Sequence, residues 1–165
     1  MKSFYFYFIV IIICFIMDGT IYSAKLNSNK SFVEKTKIKT SVLFLQKRNG
    51  KQQWLREGDA YNEAKYVGEV KKGLPHGIGT INFRKGKWNR AEKYFGQWEN
   101  GNFHGEGIFT WSNGQEYIGE FQFGERNGQG ILIFPDGKKY EGGFMFGKYH
   151  GKGKFTFRKG TEEIE

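Results

Sequence analysis

A unit that opens on a tyrosine returns four times in this chain, and its period of 23 residues leaves few folds open. The copies start at Tyr66, Tyr94, Tyr117 and Tyr140 and close at Gly86, Gly114, Gly137 and Gly160. The last two steps are 23 residues long, and the first is 28 because five extra residues separate Gly86 from Tyr94. A fixed period of this size is the signature of a repeat array, in which each unit buries its apolar face against its neighbours.

Within each unit the apolar pattern has period 2, which specifies strands and excludes helices. The first strand aligns Tyr66, Gly68 and Val70 with Tyr94, Gly96 and Trp98, then Tyr117, Gly119 and Phe121, then Tyr140, Gly142 and Phe144. Gly73, Gly101, Gly124 and Gly147 supply the turn. The second strand carries Gly77 and Gly79, Gly105 and Gly107, Gly128 and Gly130, or Gly151 and Gly153, followed by apolar residues. Twenty of the 24 glycines fall in five such columns, so the glycine excess is architectural. Glycine within a strand weakens it unless something lies close over the backbone. Here rings share a face with the glycines, so each ring is expected to lie across one. The pattern predicts eight antiparallel strands, formed as four hairpins in series.

The consensus Y-x-G-x-aromatic-x-x-G-x-x-H-G-x-G, with a later aromatic and a turn glycine, resembles the MORN repeat (membrane occupation and recognition nexus). Four units match over residues 66–160, at 66–86, 94–114, 117–137 and 140–160. Departures are Val70 for an aromatic, Asn127 for a histidine, and a longer connection at 87–93. The resemblance implies an all-β fold: an elongated, curved, single-layer antiparallel meander of repeated β-hairpins with an aromatic-lined concave face. It also implies an interaction role; MORN-like arrays occur beside lipid kinase and SET methyltransferase domains, and this sequence has no room for either.

The flanks are short. Residues 4–17 form an apolar run behind Lys2 and ahead of Asp18. That length fits a cleaved secretory signal within residues 1–24 and falls short of the roughly 18–20 residues of a membrane span. The alternatives are an uncleaved anchor, which the lysines at 25, 30, 35, 37 and 39 would orient with the repeats in the cytosol, and an apolar core segment. Residues 25–65 read as a basic linker with a capping hairpin over 38–56, turned at Asn49 and Gly50. Between Lys25 and Lys51 eight basic residues face one acidic residue, Glu34. This is either a solvated linker or a polybasic contact with anionic lipid. Asn29 opens an N-glycosylation sequon, usable in a secretory lumen. Residues 161–165 form an acidic tail. Cys14, the one cysteine, lies in the apolar run, so a processed chain would hold no disulfide.

No catalytic constellation emerges, and no cofactor, metal or small-molecule substrate is expected. His76, His104 and His150 occupy one repeat column, filled by Asn127 in the third unit. Equivalent positions lie about 9–10 Å apart across two strand spacings, too far to share a zinc ion. They read as turn residues bonding the local backbone. Glu69, Gln97 and Glu120 likewise share a column on a solvated face. Gly151, Lys152, Gly153 and Lys154 lack the spacing of a phosphate-binding loop.

The aromatic columns carry the functional reading. Tyr94, Trp98, Trp111, Tyr117, Phe121, Phe134, Tyr140, Phe144 and Phe157 form an apolar stripe. Either they pack only among themselves, or the stripe is the exposed patch that marks a partner site. The net charge of +9 favours acidic partners. The expected protein is a non-catalytic scaffold binding a protein partner or itself, in the secretory pathway or membrane-associated. The alternatives are a peripheral binder of anionic lipid and a regulatory subunit of an enzyme on another chain. Nucleic acid is disfavoured as a partner.

Overall fold

The structure is a computed structural model describing residues 12–17, 20–25, 36–38, 40–59, 62–83, 92–157 and 160–164. Most of the apolar run's start, the sequon at Asn29, Gly86 and most of the long connection lie outside the described residues. The chain divides into two units, Met1–Thr40 and Ser41–Glu165. In the first, β1 (Ile12–Met17), β2 (Thr20–Lys25) and β3 (Thr36–Ile38) form a three-stranded sheet in the order β1-β2-β3. Among the described residues no helix is long and apolar enough to cross a membrane.

Among the described residues the second unit is one open antiparallel sheet of 11 strands. It begins with β4 (Ser41–Arg48) and β5 (Lys51–Leu55), joined through Asn49 and Gly50 at φ of 51° and 77°. The four predicted hairpins follow in chain order. They are β6 (Ala64–Lys71) with β7 (Leu74–Phe83), β8 (Glu92–Glu99) with β9 (Asn102–Thr110), β10 (Glu116–Gln122) with β11 (Glu125–Ile133), and β12 (Lys139–Met145) with β13 (Lys148–Phe157). The acidic tail extends the sheet: β14 (Gly160–Ile164) pairs with β13. At the other end, β6 pairs with β4 and not with β5. The first hairpin therefore joins out of chain order, leaving β5 at the edge.

Register places like on like. Gly68, Gly79, Gly96, Gly107, Gly119, Gly130, Gly142 and Gly153 stand opposite one another in an unbroken row across eight strands. Beside it runs a row of Tyr66, Ile81, Tyr94, Phe109, Tyr117, Leu132, Tyr140 and Phe155. Each tyrosine ring lies over its two glycines. A Cβ on Gly79 would fall 2.3 Å from atoms of Tyr66, and one on Gly130 2.4 Å from the Tyr117 hydroxyl oxygen. Glycine is required there because the ring occupies the side-chain space.

Turn chemistry differs at the two edges. Within a repeat, the tip is a two-residue turn with both φ values positive, the geometry whose twist matches a hairpin. Lys72, Asn100, Phe123 and Phe146 take the first position at φ between 48° and 52°, each followed by glycine. Between repeats, Gly114 donates to the Trp111 carbonyl at 3.0 Å and Gly137 to that of Phe134 at 2.9 Å. These are three-residue loops in which only the glycine has positive φ. Pro135 suits the first central position of such a turn, where φ near −65° is needed.

Candidate partner-binding surface

The aromatic face has two layers of depth. Its deep layer is a chain of seven rings in zigzag: Tyr66, Trp98, Tyr94, Phe121, Tyr117, Phe144 and Tyr140. Successive ring centroids lie 5.0, 5.3, 5.1, 5.1, 4.9 and 5.3 Å apart, each pair edge to face. Trp98, Phe121 and Phe144 each touch their own tyrosine and that of the preceding repeat. Such pairs add about 0.5–1.5 kcal/mol beyond area burial. At the N-terminal end Trp54 of β5 covers the chain, 5.9 Å from Tyr66 and 6.0 Å from Trp98. Trp54 and Trp98 lie on strands separated by β4, β6 and β7, so the sheet curls inward over this face. At the other end Tyr149 and Phe155 close over Tyr140 at 4.3 and 5.0 Å.

Of the two readings of the aromatic stripe, packing among the rings themselves describes its deep layer. Tyr94, Trp98, Tyr117, Phe121, Tyr140 and Phe144 are at most 5% exposed. They are core, because in a curled single layer the rings of neighbouring repeats supply the missing second layer. Only Trp111, Phe134 and Phe157 of the nine predicted residues keep a part-exposed side chain. They lie toward the inter-repeat edge with Phe83, Phe109 and Phe155, in pairs such as Phe109 with Trp111 at 4.7 Å and Phe134 with Phe155 at 6.5 Å.

Between the layers sits one cation that sequence reasoning passed over. The Arg126 guanidinium lies 5.4, 5.6 and 5.3 Å from the rings of Trp111, Tyr117 and Phe144, and donates to the Gly147 carbonyl. Its column holds Pro75, Phe103 and Tyr149 in the other repeats, so the signal was a charged residue in a ring's place. Trp111 thus has a neighbour on its own face that favours electron-rich or anionic groups.

The remaining polar columns serve the fold. Tyr66 and Tyr94 donate to the carbonyls of Glu69 and Gln97 at 2.6 Å, Tyr117 to that of Glu120 at 2.9 Å, and Tyr140 to that of Gly143 at 3.2 Å. Burial pushes the first three hydroxyls far above the usual tyrosine value, so they remain donors. The Glu69, Gln97 and Glu120 side chains accept from the amides of Ile78, Glu106 and Gln129 at 2.7, 3.2 and 2.8 Å, beside the register shifts of each hairpin. Glu106 is raised above the ordinary carboxylate range by burial and then by the charge of Glu120. At His76 the backbone bond that the column suggested is not made through Nδ1. His76 Nδ1 is buried without a partner, and His104 Nδ1 faces the Glu99 carboxylate at 3.5 Å. Among the described residues no group of three potential ligands could hold a metal ion.

Fold and surface together define a class: tandem β-hairpin repeats fused into one sheet, with recognition left to whatever the shared core does not consume. The MORN repeat profile matches residues 66–88, 94–116, 117–139 and 140–162, more than half of the chain, and the protein belongs to the MORN repeat family. Comparison with curated proteins found no match.

Proposed function

We propose that this protein is a non-catalytic scaffold that receives a protein partner on the part-exposed aromatic ribbon of Trp111, Phe134 and Phe157. One observation carries the reading: these rings stay part-exposed, Trp111 beside Arg126 and Phe157 beside Lys138, while the seven deeper rings of the face are covered. An apolar surface with a cation set into it suits a partner segment that brings both apolar and acidic side chains. The family's general association with protein and membrane interactions agrees with this role.

The test is affinity capture by the full chain, comparing wild type with the Trp111→Ala/Phe134→Ala double variant. Capture should be lost while the far-ultraviolet spectrum and most of the thermal stability persist, because both rings are outside the seven-ring core. Undiminished capture would move the site off this ribbon. We further propose that residues 1–24 direct the chain into the secretory pathway. Sequencing the mature N-terminus checks this, and recovery of Lys2 would leave the anchored alternative.

A further inference from the structure

Strand register sets the part-exposed rings of the ribbon in one row, with a polar residue between each pair. Trp111 donates its amide to the Gln115 carbonyl at 2.9 Å, and Phe134 donates to that of Lys138 at 2.8 Å. One residue further along the registers of β10 with β11 and of β12 with β13, Gln115 stands opposite Phe134 and Lys138 opposite Phe157. The row therefore reads Trp111, Gln115, Phe134, Lys138 and Phe157 across successive strands. The paired Phe83 and Glu92 continue the same alternation toward the first repeat.

Rings on every second strand recur about every 9.4–9.8 Å. That period selects among the conformations an occupant could take. An extended strand repeats a face about every 6.6–6.8 Å and falls out of step at the first repeat. An α-helix repeats a face after seven residues, about 10.5 Å, and overshoots by about 1.4–2.2 Å between Trp111 and Phe157. A polyproline II helix repeats a face every three residues, about 9.3 Å, and stays within about 1 Å over the same two steps.

The polar positions and the charges suit the same occupant. Polyproline II makes no internal hydrogen bonds, so its carbonyls need donors from outside. Gln115, whose Oε1 accepts from Asn113 Nδ2 at 3.3 Å, brings amide N–H groups between two rings. Lys138 Nζ lies 5.9 Å from the Phe157 ring and shares its charge with the exposed Asp136 carboxylate at 3.0 Å. With the Arg126 guanidinium 5.4 Å from the Trp111 ring, this half of the row is cationic and complements acidic residues.

We propose that the ribbon binds a polyproline II segment with proline at every third residue and acidic residues in the spacers, one helical turn per repeat. The inference rests on the ribbon reading above and names the class of its partner. Each proline packs on a ring, and a chain already held in this conformation loses little freedom on binding.

The test titrates the full chain into a labelled peptide of four Pro-Ala-Glu triplets and follows fluorescence anisotropy. Saturable binding is expected. A peptide of the same composition with proline at every second position should bind at least about tenfold more weakly. Glutamine in place of the peptide glutamates should weaken binding several-fold at low salt. Arg126→Gln should erase that difference, and Arg126→Lys, which keeps the charge, should retain it. Trp111→Ala/Phe134→Ala should lose at least about tenfold for the triplet peptide. No binding by wild type, or equal binding of the two proline spacings, overturns the inference. If neither peptide binds while the double variant still loses a captured protein, the ribbon reading stands and its occupant is not polyproline II. Peptide binding undiminished in the double variant places the segment off the ribbon and also overturns the inference.

Discussion

Tyr94 is the residue through which the packing of this sheet is most sharply tested. It is fully buried, stacks on Phe103 at 3.9 Å, and meets Trp98 and Phe121 edge to face at 5.3 and 5.1 Å. Its ring fills the space over Gly96 and Gly107, and its hydroxyl donates to the Gln97 carbonyl at 2.6 Å. Two substitutions separate these contributions. Tyr94→Phe keeps the ring and removes one short hydrogen bond, leaving a part-buried carbonyl short of a donor, at a cost of about 1–2 kcal/mol. Tyr94→Ala removes the ring, uncovers two glycines and breaks the zigzag between Trp98 and Phe121, at a cost of about 3–5 kcal/mol. Urea unfolding followed by near-ultraviolet dichroism measures both. Because repeats are coupled through nearest neighbours, Tyr94→Ala should also lower the denaturant slope as the array begins to unfold in parts. Equal losses in the two variants would show that the hydroxyl, and not the ring over the glycines, holds this position together. A loss below about 1 kcal/mol in Tyr94→Ala would refute the zigzag as the core, since core truncations of this size cost several times more.

Two further outcomes test the glycine and carboxylate columns. Gly137→Ala meets nothing within 4 Å but holds φ of +84°, so it should cost only about 1–2 kcal/mol of backbone strain. Gly130→Ala would put a methyl 2.4 Å from the Tyr117 hydroxyl oxygen and displace the ring, so thermal melting should fall clearly further than for Gly137→Ala. Because Glu106 is raised in the folded chain, its ionised form opposes folding, and Glu106→Gln should melt higher than wild type at neutral pH. That advantage should shrink as pH falls through the raised folded value and vanish below the unfolded value of 4.5, where both states are protonated.

Much of this arrangement was readable in the chain because a repeat states each rule four times. The hairpins β6 to β13, the paired glycines and the rings over them follow from period-2 alternation and from glycine placed where a strand should not tolerate it. The depth of the face did not follow. Alternation assigns Tyr94 and Trp111 to the same face, yet curl decides that one is sealed and the other reachable, and curl depends on contacts such as Trp54 with Trp98 across intervening strands. The pairing of β4 with β6 was equally hidden, since the Asn49 and Gly50 turn fixes a hairpin but not which strand of it joins the array.

A single-layer sheet has no second layer to cover its apolar face, and this one solves the problem by using the inward rings of each repeat to cover those of the one before. The consequence for function is restrictive. Any ring that holds two repeats together cannot also be offered to a partner without opening the sheet, so on this face the rings left for the proposed partner are those of the ribbon beside the inter-repeat loops. Substitutions in the seven-ring core should therefore change stability and binding together, whereas those at Trp111 and Phe134 should change binding with little effect on stability.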